Sequence, residues 1–163
     1  MKKRIVAGSA AALLAVSLIG HYEGLSLKPY RDIVGVKTWC YGETRGVAKS
    51  IYTKAECDAM FLKALGEFET QYRSCLPDGI MDDPKKVPDT AYVAFLSLSY
   101  NIGSGAKAKK GGFCNSSAAK QLKIGNVKAA CYALTLYDKA GGKTVKGLAN
   151  RRADELKHCL KGL

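Results

Sequence analysis

The chain has 163 residues, 47% of them hydrophobic and 25% charged. That length suits one domain able to bury its own core, and the composition excludes a disordered chain. Its 26 lysines and arginines against 14 aspartates and glutamates leave a net charge of +12, which draws a folded chain toward polyanions such as nucleic acid, anionic lipid or acidic cell-wall polymer.

Lys2, Lys3 and Arg4 stand before an uncharged stretch, Ile5 to Gly20. A basic run ahead of an apolar one reads as an export or membrane signal whose leading end stays in the cytoplasm. As a helix the stretch would span about 24 Å against a hydrocarbon core of about 30 Å. Nine of its 16 residues are Ala, Gly or Ser, and small side chains gain little from lipid. Three readings stay open: a cleaved signal peptide cut near Ala15-Val16-Ser17, a permanent anchor, and a weak uncleaved anchor able to leave the bilayer. The composition fits the last best.

From Asp32 to Gly46 the chain is rich in β-branched and aromatic residues, with Gly35 and Gly42 as turn points. This predicts a small antiparallel hairpin or meander. Thr53-Lys54-Ala55-Glu56 is a capping box that starts a helix, with Cys57, Phe61, Ala64, Leu65, Phe68 and Tyr72 at helical spacing. That helix should stop before Pro77-Asp78-Gly79. Asp89 is placed to cap a second helix carrying Tyr92, Val93, Phe95, Leu96 and Tyr100, ended by Gly103. Gly103 to Gly112 is a basic loop with three lysines, and further helices are expected over 116–123, 127–138 and 148–161. The expected class is α+β, mostly helical, with the β patch to one side near the N-terminus.

The cysteines, Cys40, Cys57, Cys75, Cys114, Cys131 and Cys159, contain no C-x2-C pair. A structural zinc site is therefore not expected, and no cofactor is implied. An even number at wide spacing fits three disulfides formed outside the cytosol, with the connectivity left open.

Glu23 follows the apolar stretch directly, Asp32 comes nine residues later, and Thr38 six after that. A carboxyl beside apolar surface can stay protonated and serve as a general acid. A second carboxylate on a polar turn stays ionised and can activate a water, which a nearby hydroxyl can hold. Two carboxylates in unlike surroundings are what glycoside hydrolysis requires. By themselves, three such residues more often mean solvated surface, a turn and a strand.

The surrounding residues add to this. Glu23-Gly24-Leu25-x-Leu27-x-x-Tyr30-x-Asp32-x-x-Gly35-x-x-Thr38-x-x-Tyr41-Gly42 resembles the catalytic motif of the phage T4-type lysozymes, glycoside hydrolase family 24. Tyr100-Asn101-Ile102-Gly103 resembles the family's cleft helix. Ala140-Gly141-Gly142-Lys143, then Gly147-Leu148-x-x-Arg151-Arg152-x-x-Glu155, resembles its C-terminal signature. The resemblance implies a lysozyme-like fold and an inverting muramidase acting on the β-1,4 bond between N-acetylmuramic acid and N-acetylglucosamine of peptidoglycan. Glu23 would be the general acid, Asp32 and Thr38 would position and activate water, and Tyr41, Asn101 and Gly103 would contact substrate. It also suggests the pairs Cys40–Cys57, Cys75–Cys114 and Cys131–Cys159. The chain departs from the family pattern at Glu43, where many relatives have His, at Tyr137, where Trp is usual, and at Ser116-Ser117. Glu43 reads as a structural acid near the cleft.

The apolar stretch and the motif resemble signal-anchor-release endolysins, held on the periplasmic face of the inner membrane and freed when it depolarises. Residues 1–20 would then be the anchor and 17–163 the catalytic domain, acting as a monomer released to the periplasm. Two alternatives stand beside this: a non-catalytic, membrane-anchored wall-binding module, and a secreted lysozyme with a cleaved signal. Nucleic acid is not an expected partner, since no binding motif is present and export removes the ligand. Arg151 is expected to bond a core carboxylate or helix end.

Overall fold

The structure, a computed structural model, describes residues 3–107 and 110–163. Lys2 of the leading basic run and Lys109 of the basic loop lie outside the described residues.

The first helix, α1 (Ala10–Glu23), starts where Ser9 accepts a hydrogen bond from the Ala12 amide and ends at Gly24, whose φ of 76° only glycine adopts freely. The turn at Gly8 and the Ser9 cap delay the helix, so Ile5 to Gly8 precede it as irregular chain. One face of α1 is made of small residues: Ala11, Ala12, Ala15 and Gly20 are buried, with Ile19 among them. A Cβ on Gly20 would come within 3.0 Å of the Tyr41 ring. Together with Ile5, this face belongs to the main core. Among the described residues no helix is long and apolar enough to cross a membrane.

A two-stranded antiparallel hairpin follows, β1 (Ser26–Arg31) and β2 (Lys37–Cys40). The expected hairpin is present but begins earlier than Asp32. Its first strand carries Pro29 and outward-facing polar residues, which mask the alternation, and pairing is irregular between Ser26 and Tyr30, around that proline. Asp32 therefore lies in the turn.

The capping box forms as expected: Thr53 Oγ1 accepts from the Glu56 amide at 3.2 Å, and the Thr53 amide donates to Glu56 at 2.8 Å. It opens α2 (Lys54–Arg73), which buries Cys57, Phe61, Leu65 and Tyr72 along one stripe. Next comes α3 (Asp89–Ile102), buried without a break from Ala91 to Ser99. A helix apolar on all sides belongs at the centre of a domain, and α1, α2, α5 and α6 pack around it. Asp89 does not cap it: Pro88 holds that position without a side-chain hydrogen bond, and Asp89 faces Arg4 instead.

Beyond the basic loop lie α4 (Ser117–Lys123), α5 (Val127–Ala133) and α6 (Lys146–Leu160). The helix expected over 127–138 changes at Leu134 to a 3-10 turn ending at Leu136. A second, two-residue ladder, β3 (Lys139–Ala140) with β4 (Lys143–Thr144), frames Gly141-Gly142. It is too short for periodicity to reveal. The cysteines form three disulfides, Cys40–Cys57, Cys75–Cys114 and Cys131–Cys159. They tie the hairpin to α2, α2's end to the turn before α4, and α5 to α6, each contributing about 3–4 kcal/mol in the chain-entropy account.

Candidate active site

Glu23 occupies the last turn of α1 and is partly open to solvent. The sequence places it beside apolar surface; the structure gives it an ionic partner. Arg151 of α6 donates from Nη1 to Glu23 Oε1 at 2.9 Å. The same guanidinium donates from Nε to Glu155 Oε1 at 3.2 Å and from Nη2 to Ser97 Oγ at 3.2 Å. Glu155 is fully buried and also accepts from Arg152 at 2.7 Å and from the Ser97 hydroxyl at 2.5 Å. Burial pushes its carboxyl up from the usual range, against the pull of Arg152, Ser97 and Arg151. This network joins α1, α3 and α6 behind Glu23.

Removing one member of such a network strands the others as buried charge. Glu155→Gln would leave Arg151 and Arg152, both buried, without their shared carboxylate. The expected loss is about 3 kcal/mol, seen as a fall of roughly 6–12 °C in Tm by circular dichroism.

The hairpin holds the other two candidates. Asp32 Oδ1 accepts from the Val34 amide at 3.0 Å and the Val36 amide at 2.9 Å, an arrangement in which a short carboxylate closes its own turn. Thr38 is buried on β2, and its hydroxyl donates to the Val36 carbonyl at 3.1 Å. The Asp32 amide donates to that same carbonyl at 3.0 Å. Asp32 and Thr38 are thus brought together by one peptide unit, Val36, while Glu23 is fixed independently from the helical side.

Tyr41 is more buried than a substrate contact would suggest. Its ring stacks on Phe61 at 4.6 Å between centroids, and its hydroxyl donates to Asp58 at 2.8 Å. What it offers outward is one wall of a cleft shared with Gly42, Glu43, Arg45, Phe68 and Tyr100. Asn101 lies exposed on the last turn of α3, next to Tyr100, and Gly103 terminates that helix with a φ of 79°.

Arg45 is the cleft residue that sequence reasoning missed. It donates to Glu43 through Nε and Nη2, both at 3.0 Å, and to Glu67 through Nη1 at 3.2 Å. The spacing Glu43-x-Arg45 was the available signal, a fork able to close on a carboxylate two residues back. Glu43 also accepts from the Thr44 and Arg45 amides. Its carboxyl is accordingly held down at about 2, first by the Arg45 side chain. A carboxyl whose folded pKa lies below its ordinary 4.5 stabilises the fold above that value and loses the contribution as pH falls toward 2. Glu43→Gln should therefore flatten the fall in stability between about pH 4.5 and 2, measured by denaturant unfolding across that range. An unchanged profile would contradict the assignment.

No group of His, Cys, Asp and Glu suited to a metal ion occurs among the described residues.

Comparison with known proteins gives the family and the fold. The chain is 36% identical to the SAR-endolysin of Enterobacteria phage P21 over 164 aligned residues, covering 96% of this chain and 92% of the relative. Its fold is similar to a crystal structure of P22 lysozyme, a point mutant, at a TM-score of 0.76 and 25% identity, covering 90% of this chain and 95% of that one. It is also similar to the active form of the P1 phage endolysin Lyz, at a TM-score of 0.72 and 26% identity over 91% of this chain and 84% of that one. The secreted inactive form of the same endolysin gives 0.55 at 24% identity, covering 92% and 95%. The phage lysozyme family profile matches residues 20–155, from the end of α1 to the buried carboxylate behind Glu23, and the chain belongs to that family.

Proposed function

We infer that this protein is a phage endolysin of the muramidase type, a glycoside hydrolase that cleaves the β-1,4 bond between N-acetylmuramic acid and N-acetylglucosamine in peptidoglycan and so lyses the host cell. One observation carries the reading: Glu23 is held by a helix-side ion pair, while Asp32 and Thr38 are presented by a hairpin turn, the Asp32 amide and the Thr38 hydroxyl both donating to the Val36 carbonyl. Two carboxyl groups on separate supports suit an acid and a base that act on opposite sides of a glycosidic bond.

In the mechanism we propose, Glu23 donates its proton to the leaving glycosidic oxygen. Asp32 takes a proton from a water approaching the anomeric carbon, and the Thr38 hydroxyl keeps that water in line. The product would have inverted configuration. Tyr41 lines the cleft; Asn101 and Gly103, which follow the cleft residue Tyr100 at the end of α3, are proposed to meet the sugar strand beyond it.

Residues 1–20 are proposed to begin as an anchor in the inner membrane, with the domain on its periplasmic side. Release then lets Ile5–Gly20 form α1 and its lead-in. The packing supports retention of this segment, since a cut after Ser17 would strip Ile5, Ala11, Ala12 and Ala15 from the core.

The test is chemical. Purified protein incubated with isolated peptidoglycan should release fragments with new reducing ends on N-acetylmuramic acid, and proton NMR of early product should show the inverted anomer. Absence of new muramic reducing ends would overturn the assignment. N-terminal sequencing of exported protein, expected to begin ahead of Ile5, distinguishes release from cleavage.

A further inference from the structure

We propose that Arg4 is a positioning residue for Glu23: it seats in a socket formed by Asp89, Glu69, Val87 and Tyr92 at the far end of α1 and thereby fixes the helix that carries the proposed acid. The proposal rests on the release reading above, and extends it to what holds the released segment in place.

A basic residue near the start of a chain ordinarily lies in water, as Lys3 does here. The Arg4 side chain is only 9% exposed. Its guanidinium donates from Nε to Asp89 Oδ1 at 3.0 Å and from Nη1 to the Val87 carbonyl at 2.6 Å, with Nη2 also on Asp89. It lies 4.4 Å from the centroid of the Tyr92 ring. This planar fork, shared between a carboxylate, a carbonyl and an aromatic face, is a geometry that lysine cannot reproduce.

The backbone joins in. The amides of Arg4 and Ile5 donate to Glu69 Oε1 at 2.6 and 3.1 Å. The Tyr92 hydroxyl donates to the same oxygen at 2.5 Å. Glu69 is completely buried on α2. The Arg4 carbonyl in turn accepts from the hydroxyl of Ser9, the residue that caps α1, at 2.8 Å. A continuous path of polar contacts thus runs from the socket through Ser9 into α1, with Glu23 at the helix's other end.

The socket belongs to α2, α3 and the turn between them, and so stays with the domain wherever the leading segment lies. With the segment across the bilayer, Arg4 is on the opposite side from Glu69 and Asp89. Without the segment, buried Glu69 keeps the Tyr92 hydroxyl and the nearby Arg73 but loses two amide donors, and the partly exposed Asp89 loses the Arg4 fork; restoring those contacts favours the released chain. The same positive charge is held on the cytoplasmic side by the membrane potential before depolarisation. Arg4 therefore opposes release while the potential stands and secures the docked helix once it has collapsed.

The experiment uses purified full-length protein, free of detergent, as wild type, Arg4→Ala, Arg4→Lys and Asp89→Asn. Steady-state cleavage of a soluble glycan strand is measured alongside amide hydrogen exchange, with the amides of α3 as an internal reference for global unfolding. Misplacing a catalytic group by about 1 Å can cost on the order of 100-fold, so Arg4→Ala should lower kcat by about that factor with KM within about twofold. Exchange over residues 9–23 should accelerate at least about tenfold relative to α3. Arg4→Lys should recover part of both, and Asp89→Asn, which leaves the α1 sequence intact, should shift both the same way. Wild-type kcat and wild-type α1 protection in Arg4→Ala and Asp89→Asn would overturn the proposal. If Arg4→Ala fails to fold, the Lys and Asn variants decide it. An inactive wild type would overturn the muramidase reading instead, and α1 exchange would still decide whether the seat holds the helix.

Discussion

Glu23→Gln should reduce peptidoglycan clearing by about 10²–10⁴-fold while leaving Tm within a degree or two. The amide has nearly the shape of the carboxyl and keeps an oxygen for Arg151 Nη1, which now donates to Glu23 at 2.9 Å. What it loses is the transferable proton. The network behind the residue, built on Glu155 with Arg151, Arg152 and Ser97, does not depend on that proton and should hold the fold. Activity measured on isolated peptidoglycan, with unfolding followed on the same sample, separates loss of chemistry from loss of structure. Equal clearing by variant and wild type would sink the assigned role.

Ala7→Leu, Ala10→Leu and Ser17→Leu together should retain the protein in the inner membrane and abolish lysis from within. All three positions are solvent-exposed in the docked segment. Leucine there adds apolar surface to the anchor, at about 25 cal/mol per Å² of area buried in lipid, without crowding the core. The control is Ala11→Leu with Ala12→Leu, where both sites are buried. There the larger side chains would also overpack the docked state, at about 1–3 kcal/mol. The solvent-face triple variant, once extracted and freed of detergent, should clear isolated peptidoglycan as wild type does. Normal lysis timing with the triple variant, and its recovery in the soluble periplasmic fraction, would count against the anchor.

Local signals account for what the sequence made legible. The capping box at Thr53 and the stripe from Cys57 to Tyr72 define α2 because every interaction involved lies within a few residues. The apolar residues Tyr92, Val93, Phe95, Leu96 and Tyr100 define α3 for the same reason, while its burial on all sides shows only in the fold. The start of the hairpin before Asp32 is not legible because β1 carries Pro29 and is largely exposed, with Leu27, Lys28, Tyr30 and Arg31 all open to solvent, so it lacks the period-two pattern that identifies a strand. Asp89 reads as a cap in its local context; its partner Arg4 is 85 residues away, and no local pattern reports that distance. The candidate site divides the same way. Glu23, Asp32 and Thr38 could be named because their motif resembles that of the phage T4-type lysozymes, and the Val36 link between the last two is itself local. The ion pair from Arg151 to Glu23 spans 128 residues and needed the folded chain. Arg45 was overlooked because charged side chains in a turn usually face water.

Under the proposed release from the membrane, the small residues on the inner face of α1 set two equilibria at once. At Gly20 even a methyl group would press on the Tyr41 ring, and Ala11, Ala12 and Ala15 are buried. A side chain enlarged at any of these positions would partition better into lipid and fit worse in the domain, so both changes would move the protein toward the membrane. Lysis timing therefore has no independent adjustment on this face. Related phages that lyse on different schedules should differ along the outer face, at positions such as Ala7, Ala10 and Ser17, and keep the inner face small.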